Sequence, residues 1–522
     1  MSDVEKHEVA VANVIARETP APTPPTGEDA RKNTDAPTVD AAQLRRRARI
    51  GVVLLTLRTI AQQFIVLGGM VYLARLLGPT DYGTFWLVQF ALSFFTLFGD
   101  AGLGAALVQQ RSAPTREELS TIFWAQLAMG CAVVAIVFAA APFVLRFWPD
   151  LPPSSENLMR ALSGGFLLVS LRGLPAILME RNLEFGRLAV LEVVLSITFY
   201  GSAVALAALG WGVKSLIAAV LLQGLVGLVV AYWMRPFVPR LVFDRRGLMP
   251  MLRFGVAFQT KAAVGFVNGA VTPILGGRIL GREQFGLVSW SQNTAWFSLK
   301  VVEILSRVNF PLFSRLQDRP VEFARTLEAS VRLCAVATFF MVALFLGLGP
   351  GIVEVLYGAK WLPALPTLYV FAVVITIGFV SPILAGALDA IGKPQIVMRL
   401  AFAWTLLNWV AVRVAMMISP TMLAFALGLC VHVVFGNLAV VYVMKRMFPE
   451  ARFLAVVRTC VAACAVVSVG ARWLVLPWLK GPMTLAGATL LCAAAFGGLY
   501  AAMDFRGAKA AFDNVRRKPT AT

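Results

Sequence analysis

Amide, hydroxyl and acidic side chains recur at helical spacing inside two apolar segments of this chain. Steps of four, three and four residues place the first set on one helix face: Gln89, Ser93, Thr96 and Asp100. A second set with the same steps runs from Gln292 to Glu303, and Lys300 and Arg307 occupy the adjoining strip. Cations in such a stripe can hold an anionic group, and its acids can exchange a proton or a cation. The pattern is typical of a transport path inside a membrane.

These stripes belong to a repeat that covers residues 73–110 and 275–313. Arg75 and Arg278 occupy the same place in the two copies, at an offset of 203 positions. The same offset relates three further pairs: Arg58 and Lys261, Gln89 and Gln292, and Asp100 and Glu303. Same-sense repeats of this kind build many transporters, with the substrate path between the repeats. We therefore expect the path to lie between two related halves of the chain.

Composition predicts an all-α polytopic membrane protein. Of the 522 residues, 58% are hydrophobic and only 14% are charged, whereas a soluble domain has about 25% charged residues. Fourteen apolar runs have about the 20 residues that span a bilayer: 50–74, 82–107, 120–145, 159–179, 188–210, 213–234, 254–277, 285–309, 330–356, 363–389, 395–417, 420–444, 455–476 and 482–503. We predict about 14 transmembrane helices from these runs.

Lysine and arginine are distributed unequally between alternate loops. The loops on the side of both chain ends hold most of them, including the linker 235–253 and the tail 506–522. The positive-inside rule then places both termini in the cytoplasm. Residues 1–44 have no apolar stretch, so we expect a disordered cytoplasmic tail. The net charge of +19 is explained by scattered loop residues, which favours a topology signal over nucleic-acid binding.

Cysteine and histidine do not form the pattern of a metal or redox centre. All six cysteines fall inside predicted spans, and Cys460 and Cys464 share a helix face without a histidine or acid nearby. The two histidines, His7 and His432, are far apart in sequence. We find no phosphate-binding glycine loop, nucleophile elbow or nucleotide-binding domain. We therefore expect neither an enzyme nor a cofactor, and transport driven by an ion gradient, the membrane potential or the substrate gradient.

Charges in the middle of a span avoid lipid. Each costs about 2.5–3.5 kcal/mol there, so four would cost roughly 10–14 kcal/mol. Arg58 and Asp100 lie at similar depths below the cytoplasmic boundary, and Lys261 and Glu303 repeat that relation. We predict two ion pairs, Arg58–Asp100 and Lys261–Glu303. They either lock each half, or face a cavity in which the cations receive an anionic cargo and the acids exchange ions.

Four amides and one more arginine complete the predicted cavity. Gln62 lies one turn from Arg58, and Asn268 lies two turns beyond Lys261. With them we assign Gln89 and Gln292 to the cavity. Arg172 lies deep in the fourth span without an acid at an obvious matching depth. It either binds a substrate phosphate or extends its head group to the membrane surface.

Arg75 and Arg278 end their spans just before two Leu-Gly turns, at Gly78 and Gly281. These turns predict tight connections between helices, with glycine supplying backbone freedom. The arginines either anchor the helix ends among lipid headgroups or form an external gate.

Several motifs resemble a known family. The segment LARLLGPTDYG at 73–83, followed by FGDAGLGAALVQ at 98–109, resembles the polysaccharide flippases of the MOP superfamily. The Wzx-type subgroup that includes colanic-acid and xanthan-type transporters is the most similar. The segments ERNLEFGRL at 180–188 and AGALDAIGKP at 385–394 are similar to that family's loops after the fourth and tenth spans. The resemblance covers most of residues 45–450.

The resemblance implies two six-helix bundles, 45–234 and 254–446, around a V-shaped central cavity, with two extra helices at 447–505. It implies that an undecaprenyl-diphosphate-linked oligosaccharide is transferred across the bacterial inner membrane by alternating access, for exopolysaccharide, capsule or O-antigen synthesis. Membrane lipids, the polysaccharide polymerase and the export machinery are further partners that it allows. No invariant set of catalytic residues carries over, so the cavity residues named above rest on the sequence pattern alone.

Three alternatives remain at this stage. A cation-coupled multidrug exporter of the same superfamily would need an acid-dominated cavity, against which Arg58 and Lys261 count. A flippase for a lipid-linked peptidoglycan precursor would differ only in its cargo. A membrane glycosyltransferase or polymerase would need a large outer domain with paired acids, and the longest predicted outer loop, 146–158, is too short for one.

Overall fold

Apolar runs of this length form α-helices in a membrane, because a helix satisfies its backbone N–H and C=O groups internally where water is absent. The structure is a computed structural model that describes residues 62–99, 102–110, 112–449 and 453–504. We number its α-helices in chain order: α1 (62–76), α2 (Pro79–Gly99), α3 (Leu103–Gln109), α4 (Arg116–Leu145), α5 (Ser155–Arg181), α6 (Phe185–Ala208), α7 (Val213–Met234), α8 (Arg245–Gly269), α9 (Gly277–Trp296), α10 (Lys300–Arg315), α11 (Pro320–Ile352), α12 (Leu365–Gly378), α13 (Val380–Ala390), α14 (Pro394–Ile418), α15 (Met422–Met447), α16 (Phe453–Gly470) and α17 (Pro482–Met503).

Eleven helical stretches in the described ranges are long and apolar enough to cross a membrane. Their outward faces carry large apolar side chains that are exposed in the isolated chain, such as Leu225, Leu406 and Leu490. Lipid chains would cover these side chains. The predicted all-α polytopic membrane fold is confirmed, and eleven spans in this part of the chain are compatible with the fourteen that we predicted.

Spans in the second half of the chain are interrupted by short segments of other helix types. A π-helical turn, Thr272–Gly276, joins α8 to α9, and a 3-10 turn, Phe297–Leu299, joins α9 to α10. Such changes within a span are frequent at hinges and functional sites. Gly281 within α9 has a φ of 76°, so the backbone freedom expected of a Leu-Gly turn is used there. Its counterpart Gly78 is not among the glycines with positive φ.

α8 begins at Arg245, inside the basic stretch 235–253 that we expected to be a linker. Leu248 is buried in a small apolar cluster with Leu103 and Ile122 of the first half. The backbone N–H of Asp244 also donates to Thr121 Oγ1 at 2.8 Å. The second part of this stretch is therefore helical, because an apolar face stabilises a helix even where its exposed face is basic. Its role as a linker stays a prediction.

The two halves meet along α2 and α9, the second helix of each repeat. A β-carbon at Gly83 would lie 1.7 Å from the carbonyl oxygen of Arg282, and one at Gly286 would lie 2.0 Å from that of Pro79. The 203-residue offset relates Gly83 to Gly286 and Pro79 to Arg282. The two contacts are therefore related by a pseudo-twofold axis. Only glycine allows backbones to approach this closely.

Two further helices, α16 and α17, follow the second half. Arg332 of α11 forms ion pairs with Asp504, just beyond α17, and with Glu328 at 3.4 Å. It also lies 3.5 Å from the Tyr500 hydroxyl. These contacts fix the end of α17 against α11.

Candidate functional site

A cavity of about 1010 Å³ lies between the two halves. Its walls come from α1, α2, α6 and α7 of the first half and from α9, α10 and α13 of the second. Aromatic side chains form much of the lining: Tyr82, Phe85, Trp86, Phe199, Tyr200, Trp290, Trp296 and Phe297. Between Trp290 and Ser306 the lining extends about 24 Å along α9 and α10, at 1.5 Å per residue. The cavity therefore crosses much of a hydrocarbon core, which is about 30 Å thick.

Packed aromatic rings close one end of this cavity. Trp361 stacks on Trp290 with ring centroids 5.0 Å apart, and it meets Tyr82 edge-on at 5.2 Å. Tyr357 packs edge-on against Trp290 at 4.9 Å. Tyr82 and Trp290 line the cavity, whereas Trp361 is fully buried behind them. The ring cluster, which we call the roof, thus separates the cavity from the helix ends beyond it.

Beyond the roof, the end of α1 is bound to the segment that follows α11. The Arg75 guanidinium donates to the carbonyl of Leu356 at 2.7 Å and to the carbonyl of Val355. Trp361 Nε1 donates to the carbonyl of Ala74 at 2.8 Å, and Lys360 Nζ donates to that of Arg75 at 2.8 Å. Each of these bonds joins the first half to the second.

The same arrangement recurs with the halves exchanged. Arg278, the repeat partner of Arg75, donates to the carbonyl of Phe147 at 3.3 Å, and its guanidinium lies 4.5 Å from the centre of the Phe147 ring. Trp148 Nε1 donates to the carbonyl of Pro273 at 2.8 Å. We call Arg75, Trp148, Arg278 and Trp361, with their carbonyl partners, the Arg–Trp seal. It holds the halves together at one end of the cavity.

Polar groups sit lower in the cavity, away from the roof. Lys300 Nζ forms an ion pair with Glu303 Oε2 at 2.9 Å, and both side chains line the cavity about half exposed. Lys300 begins α10 directly after the 3-10 turn Phe297–Leu299, and Glu303 lies in the first turn of α10. The partial positive charge of a helix N-terminus stabilises an acid there. Gln63, Gln89 and Asn293 add amide groups to the same walls.

The predicted amides divide between the cavity and helix contacts. Gln89 lines the cavity. Gln62 Nε2 instead donates to Ser196 Oγ at 3.2 Å, and Asn268 Oδ1 accepts from Asn408 Nδ2 at 3.0 Å. Gln292 is partly buried and is not among the described lining residues. The cavity role assigned to these amides therefore stays a prediction, with the geometry in favour of Gln89.

The predicted charges divide differently. Arg58 and Asp100 lie outside the described residues, as does the side chain of Lys261, so the ion pairs Arg58–Asp100 and Lys261–Glu303 stay predictions. Glu303 lines the cavity and contacts Lys300, a residue that the sequence placed only on the adjoining strip. The sequence could not rank the two lysines, because position along a span says little about which carboxylate a flexible side chain reaches.

Arg172 lies on α5 against α7, outside the set of described lining residues. A β-carbon at Gly227 of α7 would lie 2.7 Å from the Arg172 guanidinium. The charge of Glu192 on α6 acts on Arg172, although depth along the sequence had indicated no matching acid. The sequence did not place Glu192 beside Arg172, because Glu192 comes from a different helix and its reach depends on how α5 and α6 pack.

The aromatic lining was the main feature that sequence reasoning missed. Trp86 and Trp290 lie near the polar stripes and Trp296 lies on the second one, yet apolar packing is the ordinary role of such residues in a membrane helix. Gln63 and Asn293 were also missed, each one position beyond a residue that was chosen. One residue turns a helix by about 100°, so an error of a single position moves a side chain to another face.

A family model described as "Polysaccharide biosynthesis protein" matches residues 72–366, more than half of the chain. The chain belongs to this family. The match covers α2, α9, α10, the Arg–Trp seal and most of the cavity lining, whereas the lining residues Gln63, Val66, Met70 and Pro382 lie outside it. The predicted resemblance is confirmed.

Curated relatives of this polysaccharide biosynthesis protein come from several bacteria. It is 25% identical to teichuronic acid biosynthesis protein TuaB of Bacillus subtilis (strain 168), over 60% of this chain and 63% of TuaB. It is 26% identical to succinoglycan biosynthesis transport protein ExoT of Rhizobium meliloti (strain 1021), over 64% of this chain and 67% of ExoT. It is 24% identical to lipopolysaccharide biosynthesis protein WzxC of Escherichia coli (strain K12), over 62% of this chain and 64% of WzxC. The matches span less than two thirds of TuaB and WzxC.

Solved structures share its fold at low sequence identity. Lipid II flippase MurJ, in an inward closed conformation, superposes with a TM-score of 0.66 at 13% identity, over 85% of this chain and 98% of MurJ. An inward-facing multidrug resistance MATE family transporter of the MOP superfamily superposes with a TM-score of 0.58 at 14% identity, over 78% of this chain and 99% of the transporter. The protein is thus a multi-pass membrane protein with a MOP-type fold.

Proposed function

We propose that this polysaccharide biosynthesis protein is a flippase for a lipid-linked oligosaccharide. The cargo is a repeat unit on undecaprenyl diphosphate, which moves from the cytoplasmic to the outer leaflet of the inner membrane by alternating access. The observation that carries the proposal is the long cavity between two related halves, closed at one end by contacts that join those halves. A path of this kind is what a polar headgroup needs, because each unsatisfied polar group costs several kcal/mol in hydrocarbon.

The cavity lining suits sugars. Tyr82, Trp86, Trp290 and Trp296 present rings against which the C–H faces of pyranose rings can stack. The amides of Gln89 and Asn293 can donate to and accept from sugar hydroxyls. Such a lining is tolerant, since rings and amides bind many sugars without demanding one charge pattern.

Lys300 is the described side chain best placed to hold the diphosphate. Its ammonium lies 2.9 Å from Glu303 and about half exposed in the cavity, so an arriving phosphate competes with Glu303 for the same cation. When the phosphate binds Lys300, the Glu303 carboxylate is released from Lys300 and can bind another cation. In this proposal, cargo binding and ion binding are therefore coupled through one lysine.

The Arg–Trp seal is the external gate of this cycle. For cargo to leave on the outer side, Arg75 and Arg278 must release the carbonyls that they hold in the opposite half. Because both arginines bind the opposite half in the same way, a single outward rocking of the halves breaks both sets of bonds. The gate interpretation thus gains support over simple anchoring, since the guanidinium groups are held by protein carbonyls.

The test is the leaflet in which the lipid-linked unit accumulates. In cells depleted of the protein, we expect labelled sugar lipid to build up and to resist periodate added outside spheroplasts. Re-expression of the wild-type protein should make that lipid reactive, and equal amounts of a Lys300→Ala protein should not. Sugar lipid that stays accessible from outside after depletion would exclude a flippase role. Accumulation of a peptidoglycan precursor instead would keep the mechanism and change the cargo.

A further inference from the structure

A second pocket, of about 520 Å³, lies at the other end of the first half from the Arg–Trp seal. It sits where α5 ends, α6 begins and α7 ends, and it shares no lining residue with the transport cavity. Three of its lining residues are arginines: Arg181, Arg187 and Arg235. We call these three, together with Asn182 and Phe237, the arginine pocket. By the distribution of lysine and arginine it faces the cytoplasmic surface of the membrane.

One acid organises the arginines of this pocket. Glu184 pairs with Arg187 at 2.7 Å and with Arg235 at 3.4 Å, so it brings the start of α6 and the end of α7 together. Arg181 donates to the carbonyls of Leu107 and Ser112. Glu184 thus pairs with two of the three arginines, and Arg181 is held by backbone carbonyls, which leaves an excess of positive charge around the pocket.

The geometry fits a phosphate group. Each guanidinium has five N–H donors in a planar fork that matches phosphate oxygens, and the Glu184 contacts engage one nitrogen each of Arg187 and Arg235. The remaining donors stay within reach of a ligand, because the Arg187 and Arg235 side chains are 53% and 39% exposed. Held by Glu184, these side chains lose less rotamer freedom when a ligand binds.

Exposed apolar side chains next to the pocket point to a lipid rather than a soluble anion. Leu183 follows Asn182 and is 67% exposed, and Trp233 precedes Met234 of the pocket and is 80% exposed. Val238 and Leu241, just after Phe237, are similarly exposed. Tryptophan at the end of a span is typical of the membrane interface, and basic pockets between helices on the cytoplasmic side bind anionic headgroups.

We propose that the arginine pocket binds the phosphate headgroup of an anionic phospholipid from the inner leaflet, at a site separate from the transport cavity. A lipid held there would contact α5, α6 and α7 at once. It would therefore stabilise the cytoplasmic end of the first half in the membrane.

The experiment uses the full-length protein in phosphatidylcholine nanodiscs with increasing phosphatidylglycerol, and follows the thermal unfolding midpoint. We expect a saturable rise for the wild type. In the variant Arg187→Gln/Arg235→Gln, the half-saturating fraction of phosphatidylglycerol should rise about fivefold for each arginine removed, since one basic residue near an anionic surface contributes about 1 kcal/mol. The variant Arg187→Lys/Arg235→Lys keeps the positive charge, so its half-saturating fraction of phosphatidylglycerol should rise less. Arg325→Gln, an exposed arginine of α11 outside the pocket, is the matched control and should titrate as the wild type.

Three results would overturn the proposal. In the first, phosphatidylglycerol gives the wild type no saturable gain over phosphatidylcholine. In the second, Arg325→Gln weakens the response as much as the pocket variant, which would mean general surface charge. In the third, sodium phosphate in pure phosphatidylcholine produces the same saturable, pocket-dependent rise, which would assign a free anion instead of a lipid. If the glutamine variant fails to fold in phosphatidylcholine, the phosphatidylglycerol titration of the lysine variant is compared with those of the wild type and Arg325→Gln instead.

Discussion

The Arg–Trp seal and the cavity beneath it lie between the same two halves, but they use the repeat in different ways. In the seal the same kinds of contact recur with the halves exchanged: Arg75 and Arg278 bind carbonyls of the opposite half, and Trp361 and Trp148 donate across the interface. Arg75 holds two carbonyls and Arg278 holds one. In the described part of the cavity, the two charged lining residues, Lys300 and Glu303, both come from the second half. The lining polar residues of the first half are amides and hydroxyls.

Under the proposed function, this difference separates the contacts that move from the residues that bind cargo. A gate that opens by rocking two halves gains from symmetry, because equal contacts on both sides break together. A binding site for an asymmetric cargo, with a phosphate at one end and sugars at the other, gains from unlike walls. The interrupted span α9–α10, with its 3-10 turn at Phe297–Leu299, places the unlike residues. The unbroken helix α2 opposite it does not share this interruption.

The largest effect should come from breaking the symmetric backbone contact. Gly83→Ala and Gly286→Ala each drive a methyl group into a carbonyl of the other half, and overpacking of this kind costs about 1–3 kcal/mol or more. We expect both variants to fold poorly, to a similar degree, as measured by detergent-solubilised yield and thermal unfolding. Gly68→Ala is the control, because a β-carbon there meets nothing within 4 Å. Tolerance of one variant but not the other would disprove the pseudo-twofold contact.

A second test addresses the asymmetric wall. Lys300→Ala should reduce export of polysaccharide about tenfold or more, since a hydrogen bond to a charged group contributes about 1.5–3 kcal/mol. Lys300→Arg should retain much of it, because the charge stays. Lys393→Ala is the control, as Lys393 is an exposed lysine outside the cavity lining. Normal export by Lys300→Ala, at matched protein level, would remove Lys300 from cargo binding.

A third test asks whether the seal is a gate. Arg75→Gln and Arg278→Gln should each raise the rate at which an impermeant thiol reagent, added outside, labels a cysteine at Gln89. The rise should be about tenfold if one charge-assisted bond is lost, and larger for Arg75, which holds two carbonyls. Arg146→Gln is the control, because Arg146 lies over Phe143 of its own helix. Unchanged labelling in both variants would show that the arginines only anchor helix ends.

Much of the fold could be predicted from the sequence, because the signal is strong and local. A run of about 20 apolar residues has few stable structures other than a membrane helix, so the all-α membrane fold is confirmed, and eleven spans in the described residues are compatible with the predicted count. Within the predicted linker 235–253, the start of α8 at Arg245 was not predicted, because it depends on burial of Leu248, and the surrounding basic residues conceal that signal in the sequence. The sequence analysis gave a role to Gly78 and Gly281, and it did not predict that Gly83 and Gly286 pack across the halves.

The site was harder to predict because it depends on helix rotation and on contacts between distant spans. The stripe on α2 and α9 placed Gln89 and Glu303 in the cavity region, yet a stripe defines a direction only within about one residue. Arg172 shows the other limit, since Glu192 acts on it from another helix. Contacts with carbonyls, such as those of Arg75 and Arg278, leave no trace in a sequence because every residue has a carbonyl.

Two adjacent glutamines give the smallest and most selective test. Gln63 lines the cavity, whereas Gln62 donates to Ser196 of α6. Interhelical hydrogen bonds in membrane proteins average about 0.6 kcal/mol, so Gln62→Ala should lower the unfolding midpoint slightly and leave export per folded molecule unchanged. Gln63→Ala should leave stability unchanged and reduce export a few-fold, because one neutral hydrogen bond contributes about 0.5–1.5 kcal/mol. Both are measured as thermal midpoint and export on the same preparations. The reverse assignment would mean that α1 is rotated by about one residue relative to the described structure, and that Gln62, as the sequence first indicated, faces the cargo.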